Sequence, residues 1–228
     1  MHIEPKRQAC TPPRTQAQVP ALPAKTTLSL AHRALPIALD LLLARKPGSV
    51  VVDVGGVGWV VLPVAKAHPH LRIVIQDSEK VVKDGMDNWN AQLREALRSE
   101  RVIFQVHDFF TPQNVKNASV FFMRYILHDW PDEDVRRILE QLRRAAEPHT
   151  SAEYTLGNDA PEPLLPTYGA ANTMGYLEDV LMMVNLNGKE RTVADVEKLL
   201  DSTGWKLKHV QRIGGTVGFF LPIHAVPV

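Results

Sequence analysis

Cysteine, a surplus of charge and unbroken apolar sequence are all scarce in this 228-residue chain. Cys10 is the only cysteine, which excludes an internal disulfide and a cysteine-based zinc cluster and fits a reducing, cytoplasmic setting. Lys plus Arg number 26 against 25 Asp plus Glu, a net charge of +1, so no global basic field points to nucleic acid or an anionic membrane. The longest apolar stretch, Ala34 to Ala44, is broken by Pro36 and Asp40 and falls well short of the roughly 20 residues that span a bilayer. What is present is ordinary for a globular chain with a full core: 45% hydrophobic and 22% charged residues.

The start of the chain differs from the rest. Pro5, Pro12, Pro13, Pro20 and Pro23 stand among Gln, Thr and Ala, with Glu4 the one acid before residue 26. Neither a helix nor an apolar core forms from such a composition, so residues 1–27 are expected to be a disordered Pro-rich tail. From Leu28 to Arg45 the apolar residues recur at helical spacing, with Pro36 kinking the run and Pro47-Gly48 ending it. Residues 28–228 are thus expected to form one domain.

Beyond residue 49 strands alternate with helices. Val50 to Val54 is a short continuous apolar run, the kind buried on both faces of a parallel sheet, and a helix follows to about His68. Further strands are expected at Arg72–Gln76, Val102–Val106 and Ser119–Met123, with a polar helix at Lys80–Arg98. Pro131 is expected at the first helical position of a helix with acids in its first turn. A weaker strand near Ala152–Leu156, helices at about Ala171–Leu186 and Val193–Ser202, and β-rich segments at Trp205–Arg212 and Val217–Val226 complete the order. This alternation predicts an α/β, Rossmann-like, doubly wound sheet with helices on both faces, whose ligands sit beyond the carboxyl ends of the strands.

Those ends carry chemistry. The first strand runs into Gly55-Gly56-Val57-Gly58, where glycine lets the backbone approach a ligand in front of a helix N-terminus. The second ends in Asp77, 22 positions beyond Gly55, a usual spacing for an acid that hydrogen-bonds ribose hydroxyls. The third ends in His107-Asp108-Phe109-Phe110, an acceptor beside aromatic faces suited to adenine. Together they predict a nucleoside site. The loop spells neither Gly-x-Gly-x-x-Gly nor a Walker lysine, so a standard dinucleotide or nucleoside triphosphate site is not indicated.

These segments, together with Arg124 through Asp132 (Arg-Tyr-Ile-Leu-His-Asp-Trp-Pro-Asp) and Asn187 through Thr192 (Asn-Gly-Lys-Glu-Arg-Thr), resemble the S-adenosylmethionine-dependent O-methyltransferases of plant caffeate and fungal natural-product type. The resemblance covers the chain from about Val50 to its end and corresponds to the family's catalytic domain only. It implies S-adenosylmethionine held by Gly55, Gly56, Gly58, Asp77, Asp108, Phe109 and Arg124. It also implies His128 as general base, Glu190 as its orienting acid, and Met182 and Asn185 on the acceptor pocket. The acceptor would be a hydroxyl of a small, aromatic or polyketide-like molecule. Two departures stand out. The glycine loop is one residue shorter than the family's Gly-Gly-small-x-Gly, and no helical N-terminal dimerisation domain is recognisable in the 48 or so residues before the first strand. For the acid that family members carry at the end of strand five, the sequence leaves Glu153, Asp159 or neither open.

The residue types suit the reaction. A sulfonium methyl is already electrophilic, so the protein must align an acceptor oxygen and remove a proton. A phenol of pKa about 10 is mostly protonated at neutral pH, whereas a histidine near 6.5 is mostly neutral and able to accept. A carboxylate on the other imidazole nitrogen fixes the tautomer and stabilises the imidazolium as it forms. No metal is required, and neither His128-Asp129 nor the pair His68 and His70 shows zinc-ligand spacing. A second activity class stays open, a methyltransferase-fold protein that transfers no methyl, either a ligand-binding remnant or a lyase or pericyclic catalyst. Without the family's dimerisation domain, apolar surface is expected around Leu28–Arg45 and Ala171–Leu186, favouring a homo-oligomer through a non-family interface.

Overall fold

The structure, a computed structural model, describes residues 47–156, 173–211 and 221–228. The expected tail and the expected helix at Leu28–Arg45 lie outside them. In chain order the elements are β1 (Val50–Val54), α1 (Val61–Ala67), β2 (Arg72–Asp77), α2 (Glu79–Arg98), β3 (Val102–Val106) and β4 (Val120–Met123). A one-turn 3-10 helix (Leu127–Asp129) is followed by α3 (Asp132–Ala145), β5 (Ser151–Leu156), α4 (Thr173–Leu186), α5 (Val193–Ser202), β6 (Trp205–Val210) and β7 (Leu221–Pro227).

The described strands form one sheet in the order β3-β2-β1-β4-β5-β7-β6. The first five in that order pair in parallel, and β7 joins antiparallel between β5 and β6. The chain works outward from β1 in one direction and then returns to β4 on its other side, so the order reverses between β1 and β4. That is the crevice where doubly wound sheets bind ligands. The weak sequence of β5 is compensated by neighbours on both sides: Phe121 and Phe122 of β4 face Ala152 and Glu153, which face Ala225 and His224 of β7.

Strand alternation divides the core in two. Val50, Val52, Val54, Phe121, Met123, Ala152, Ile223 and Ala225 pack under α3 and α5, against Ile138, Leu139, Leu142, Val196 and Leu200. Val51, Ile73, Ile75, Val120 and Phe122 face the other way, against Val61, Leu62 and Val64 of α1 and Trp89 and Ala96 of α2. α3 starts one residue later than expected. Pro131, with φ −66° and ψ 162°, is extended and serves as the N-cap, and Asp132, Glu133 and Asp134 fill the first turn. The three acids sit where the helix dipole favours negative charge. On α4, Tyr176, Leu177, Val180, Leu181, Met183 and Val184 are exposed, so the described part of the expected uncovered apolar surface is present.

The loop from 107 to 118 is tied to the sheet by buried amides. Gln76 Nε2 donates to Gln105 Oε1 at 2.8 Å, Gln113 Oε1 at 3.0 Å and Asn114 Oδ1 at 3.0 Å. Gln113 Nε2 donates back to Gln76 Oε1 at 2.8 Å, and Val115 N donates to Gln113 Oε1 at 3.0 Å. Gln113→Leu would strip the Gln76 carbonyl and the Val115 amide of partners in a dry interior. A loss of about 1–3 kcal/mol is expected, read as a lower denaturant midpoint at unchanged slope.

Candidate active site

Because β1 to β4 are parallel, their carboxyl ends open on one edge of the sheet. Gly55 N donates to Gln76 O at 2.8 Å, prolonging the β1–β2 pairing by one bond before the chain turns. Gly55, Gly56 and Gly58 all have positive φ, 90°, 104° and 78°, a region that an L side chain rarely adopts. Val57, which separates the last two in the shortened loop, does not. Its carbonyl instead accepts the indole N–H of the buried Trp89 at 3.1 Å, so α2 pins the loop from behind. A Cβ on Gly58 would lie 2.5 Å from Ile75 Cδ1, whereas nothing lies within 4 Å of where one on Gly56 would be. The loop is therefore packed tight on its sheet side and open at Gly56.

Asp77 stands at that opening. Its Oδ2 accepts from Gly56 N at 2.5 Å and its Oδ1 from Ser78 N at 2.6 Å. Asp53, the last residue but one of β1, is an acid to which the sequence analysis gives no role. Asp53 is only 4% exposed. Burial, and secondarily the Asp77 charge, push its carboxyl up to about 8, with Arg124 working against both. An acid inside an otherwise continuous apolar strand was the signal that could have found it.

The next strand end carries Asp108 and Phe109. Asp108 closes its own turn: Oδ1 accepts from Phe110 N at 2.9 Å, and its carbonyl accepts from Thr111 N at 2.9 Å. Phe109 packs edge-on against Phe110 and Trp130, with centroids 4.9 and 5.8 Å away. Just before them, burial lowers the pKa of His107 against the opposing charge of Asp108.

After β4 the backbone passes Arg124, half-buried, and Tyr125, a non-glycine residue with φ 55°. The Arg124 guanidinium lies 4.8 Å over the Tyr125 ring, and that ring stacks on the His128 imidazole at 5.5 Å. His128 sits in the 3-10 turn with Nδ1 2.7 Å from Glu190 Oε1 and Nε2 3.3 Å from Asp129 Oδ1. Burial works against a charged ring. It is outweighed by the hydrogen bond and charge of Glu190 and by the charges of Asp129 and Glu178, so the His128 pKa is raised above 6.5. This corrects the expectation of an ordinary histidine: three carboxylates surround it.

Glu190 reaches His128 because α4 ends abruptly. Asn187 adopts φ 56°, Gly188 N bonds back to Met182 O at 3.1 Å, and Lys189 N donates to His128 O at 3.0 Å. A Cβ on Gly188 would collide with His128 O, so only glycine allows the approach. Asp179, on the half-buried stripe of α4 that also carries Met182, accepts from Glu190 N at 2.9 Å. Asn185 is exposed beside that stripe. Arg191 then turns inward, and its buried guanidinium bonds Asp132 and two carbonyls of the 3-10 segment. Neither Asp179 nor Arg191 was singled out from sequence. Of the two acids considered at strand five, Glu153 Oε1 bonds His224 Nδ1, and Asp159 lies outside the described residues. Among the described residues no group of three or more His, Cys, Asp or Glu side chains is arranged to hold a metal ion, and no helix is long and apolar enough to cross a membrane.

The O-methyltransferase domain family matches residues 32–206 of the chain. The chain belongs to this family. A relative, 4-O-methyltransferase 1 of Phanerochaete chrysosporium, is 39% identical over 203 residues, covering 79% of this chain and 43% of its own length. The chain thus spans about two fifths of the length of curated relatives that it matches. Among solved structures, the O-methyltransferase domain superposes on TnmH with a TM-score of 0.70 at 25% identity, covering 88% of this chain and 56% of TnmH. Human N-acetylserotonin methyltransferase in complex with S-adenosylmethionine gives a TM-score of 0.69 at 23% identity, covering 88% of this chain and 52% of that one, a likeness of fold.

Two titrations follow from the electrostatics. Between about pH 4 and 8 folded Asp53 keeps a proton that the unfolded chain releases, so its contribution to stability falls as pH rises through that window. Relative to wild type, Asp53→Asn is expected to flatten that decline, measured by denaturant unfolding at a series of pH values. For His128, the imidazole resonance is expected to titrate above 6.5, and Glu190→Gln to move it down, followed by NMR.

Proposed function

We propose that this O-methyltransferase domain transfers a methyl group from S-adenosylmethionine to a hydroxyl of a small aromatic or polyketide-like acceptor, with His128 as general base. The observation that carries the proposal is the 2.7 Å contact of Glu190 with His128 Nδ1, which with the proton on Nδ1 makes Nε2, 3.3 Å from Asp129 Oδ1, the ring nitrogen able to take a proton from an acceptor hydroxyl. Membership of the family supports the activity and the cofactor.

The residues at the strand ends fit that cofactor. Gly56 leaves open space beside the Asp77 carboxylate, suited to ribose hydroxyls. Asp53 is a buried acid whose charge Arg124 favours, and a further cationic group placed nearby would draw it back toward the carboxylate form. Asp108 and Phe109 would hold adenine, and Gly55, Gly56, Gly58 and Arg124 the remainder. Bound there, S-adenosylmethionine supplies a methyl carbon activated by its sulfonium. His128 would take the acceptor proton on Nε2 as the methyl is transferred, and the donor would be released as a neutral thioether. Glu190 holds the Nδ1 proton and offsets the positive charge that forms on the ring. The exposed Tyr125 ring and the half-buried Met182 give the acceptor side an aromatic and an apolar wall, which favours a planar, weakly polar acceptor.

His128→Ala is expected to cut turnover on a panel of phenols by about 10²–10⁴ while leaving affinity for S-adenosylhomocysteine nearly unchanged. Wild-type turnover retained in that variant would sink the assigned base. Asp77→Ala is expected to weaken S-adenosylhomocysteine binding by roughly 1.5–3 kcal/mol in calorimetry, and unchanged affinity would remove the cofactor assignment. A wild-type protein that binds the cofactor but methylates no acceptor in the panel would favour the non-methylating class.

A further inference from the structure

The 3-10 turn that carries His128 has little to hold it by itself. Its internal bonds are Asp129 N to Ile126 O at 3.1 Å and Trp130 N to Leu127 O at 3.5 Å, the second at the limit of a hydrogen bond. It follows a residue with positive φ, Tyr125, and is followed by Pro131, which has no N–H to contribute. A segment of this kind keeps one shape only if something else fixes it.

Besides the bond from Lys189 N to His128 O, one buried side chain fixes it. Arg191 Nη1 donates to Leu127 O at 2.6 Å and Nη2 to Trp130 O at 2.6 Å, so the guanidinium spans the turn from the residue before His128 to the second residue after it. Nε donates to Asp132 Oδ1 at 2.9 Å, fixing the turn to the first residue of α3. The side chain is 2% exposed. Asp132 also accepts from Lys189 Nζ at 3.0 Å. Burial works against its carboxylate, but Lys189 and Arg191 outweigh it and hold its pKa below the ordinary value. Arg191 directly follows Glu190, so neighbouring residues grip the imidazole and the backbone that presents it.

We propose that Arg191, anchored on Asp132, is a positioning residue that sets the distance between His128 and Glu190. The proposal rests on His128 being the working base. A lysine in its place would keep the charge but could not span two carbonyls and a carboxylate, because its donors radiate from one atom while those of arginine are spread over a rigid plane. The groups that act on the His128 ring are Glu190 and Glu178 from the α4 side, and Asp129 and the Tyr125 ring from its own segment, so loosening the Glu190 contact should be visible in the titration of the ring.

The test follows the His128 imidazole by NMR in wild type, Arg191→Lys and Asp132→Asn, with thermal unfolding and S-adenosylhomocysteine binding in parallel. Asp132→Asn takes the charge out of the anchor of the clamp, and out of the Lys189 pair with it, and keeps both carbonyl contacts, so it answers the question if Arg191→Lys does not fold. Expected are a His128 titration moved down toward 6.5 in each variant that folds, no further drop when Glu190→Gln is added to it, and a fall in kcat of up to about 10²-fold with cofactor affinity kept. A lower melting temperature with the His128 titration as in wild type would overturn the proposal and leave Arg191 a structural residue. If the titration moves but no variant, wild type included, transfers methyl, the clamp stands and the assigned reaction falls.

Discussion

The parallel pairing of β1 with β2 on one side and β4 on the other is the constraint from which the rest of the site follows. It sends the chain ends of four strands out of the same edge of the sheet and puts the reversal of strand order between β1 and β4. The buried run Val50–Val54 can occupy that central place because both of its faces are apolar and each is covered by helices. Asp53 is the exception within it, and it sits where the strand meets the site. A charge there is costly in a dry interior, and burial together with the Asp77 charge favours the protonated carboxyl.

The surroundings of His128 are built differently from those of Asp77. Asp77 and the glycine loop touch across neighbouring strands, so their geometry comes from sheet register. His128 lies on a turn with scant hydrogen bonding of its own, and its surroundings are brought from the far end of α4 by Asn187 and Gly188. The carboxylates gathered around it make the ring more basic than a free histidine. The same carboxylates demand a turn that does not drift, since a small change in the Glu190 distance changes the basicity of the ring.

Much of this was legible in the sequence where the signal is local. Continuous apolar runs marked β1 and β4, a glycine cluster marked the turn after β1, and the segments around His128 and Glu190 carried the family resemblance in a few adjacent residues. What was missed depends on contacts between distant residues. Arg191 and Asp132 stand inside the two resembling segments, but their pairing leaves no trace in the sequence, because a charged pair 59 positions apart has no periodicity. Glu153 looked like a candidate for the base's helper, and only the antiparallel register of β7 shows that its partner is His224. Pro131 was placed one position too far into its helix because proline suits both the N-cap and the first helical turn. Trp89 gave no hint that its indole would reach back 32 positions to steady the glycine loop.

The separation between His128 and its supports has a consequence during synthesis. The glycine loop, Asp77, Asp108 and His128 all lie before residue 130, and α3 and β5 follow at once. Glu190 lies 62 positions after His128. At about 5–20 residues per second, a ribosome needs roughly 3–12 seconds to cover that distance. For that interval the segments that carry Asp77, Asp108 and His128 exist without the residues that brace the His128 turn, Glu190 and Arg191. The strand ends of the site are therefore synthesised well before the side chains that fix the position of its histidine.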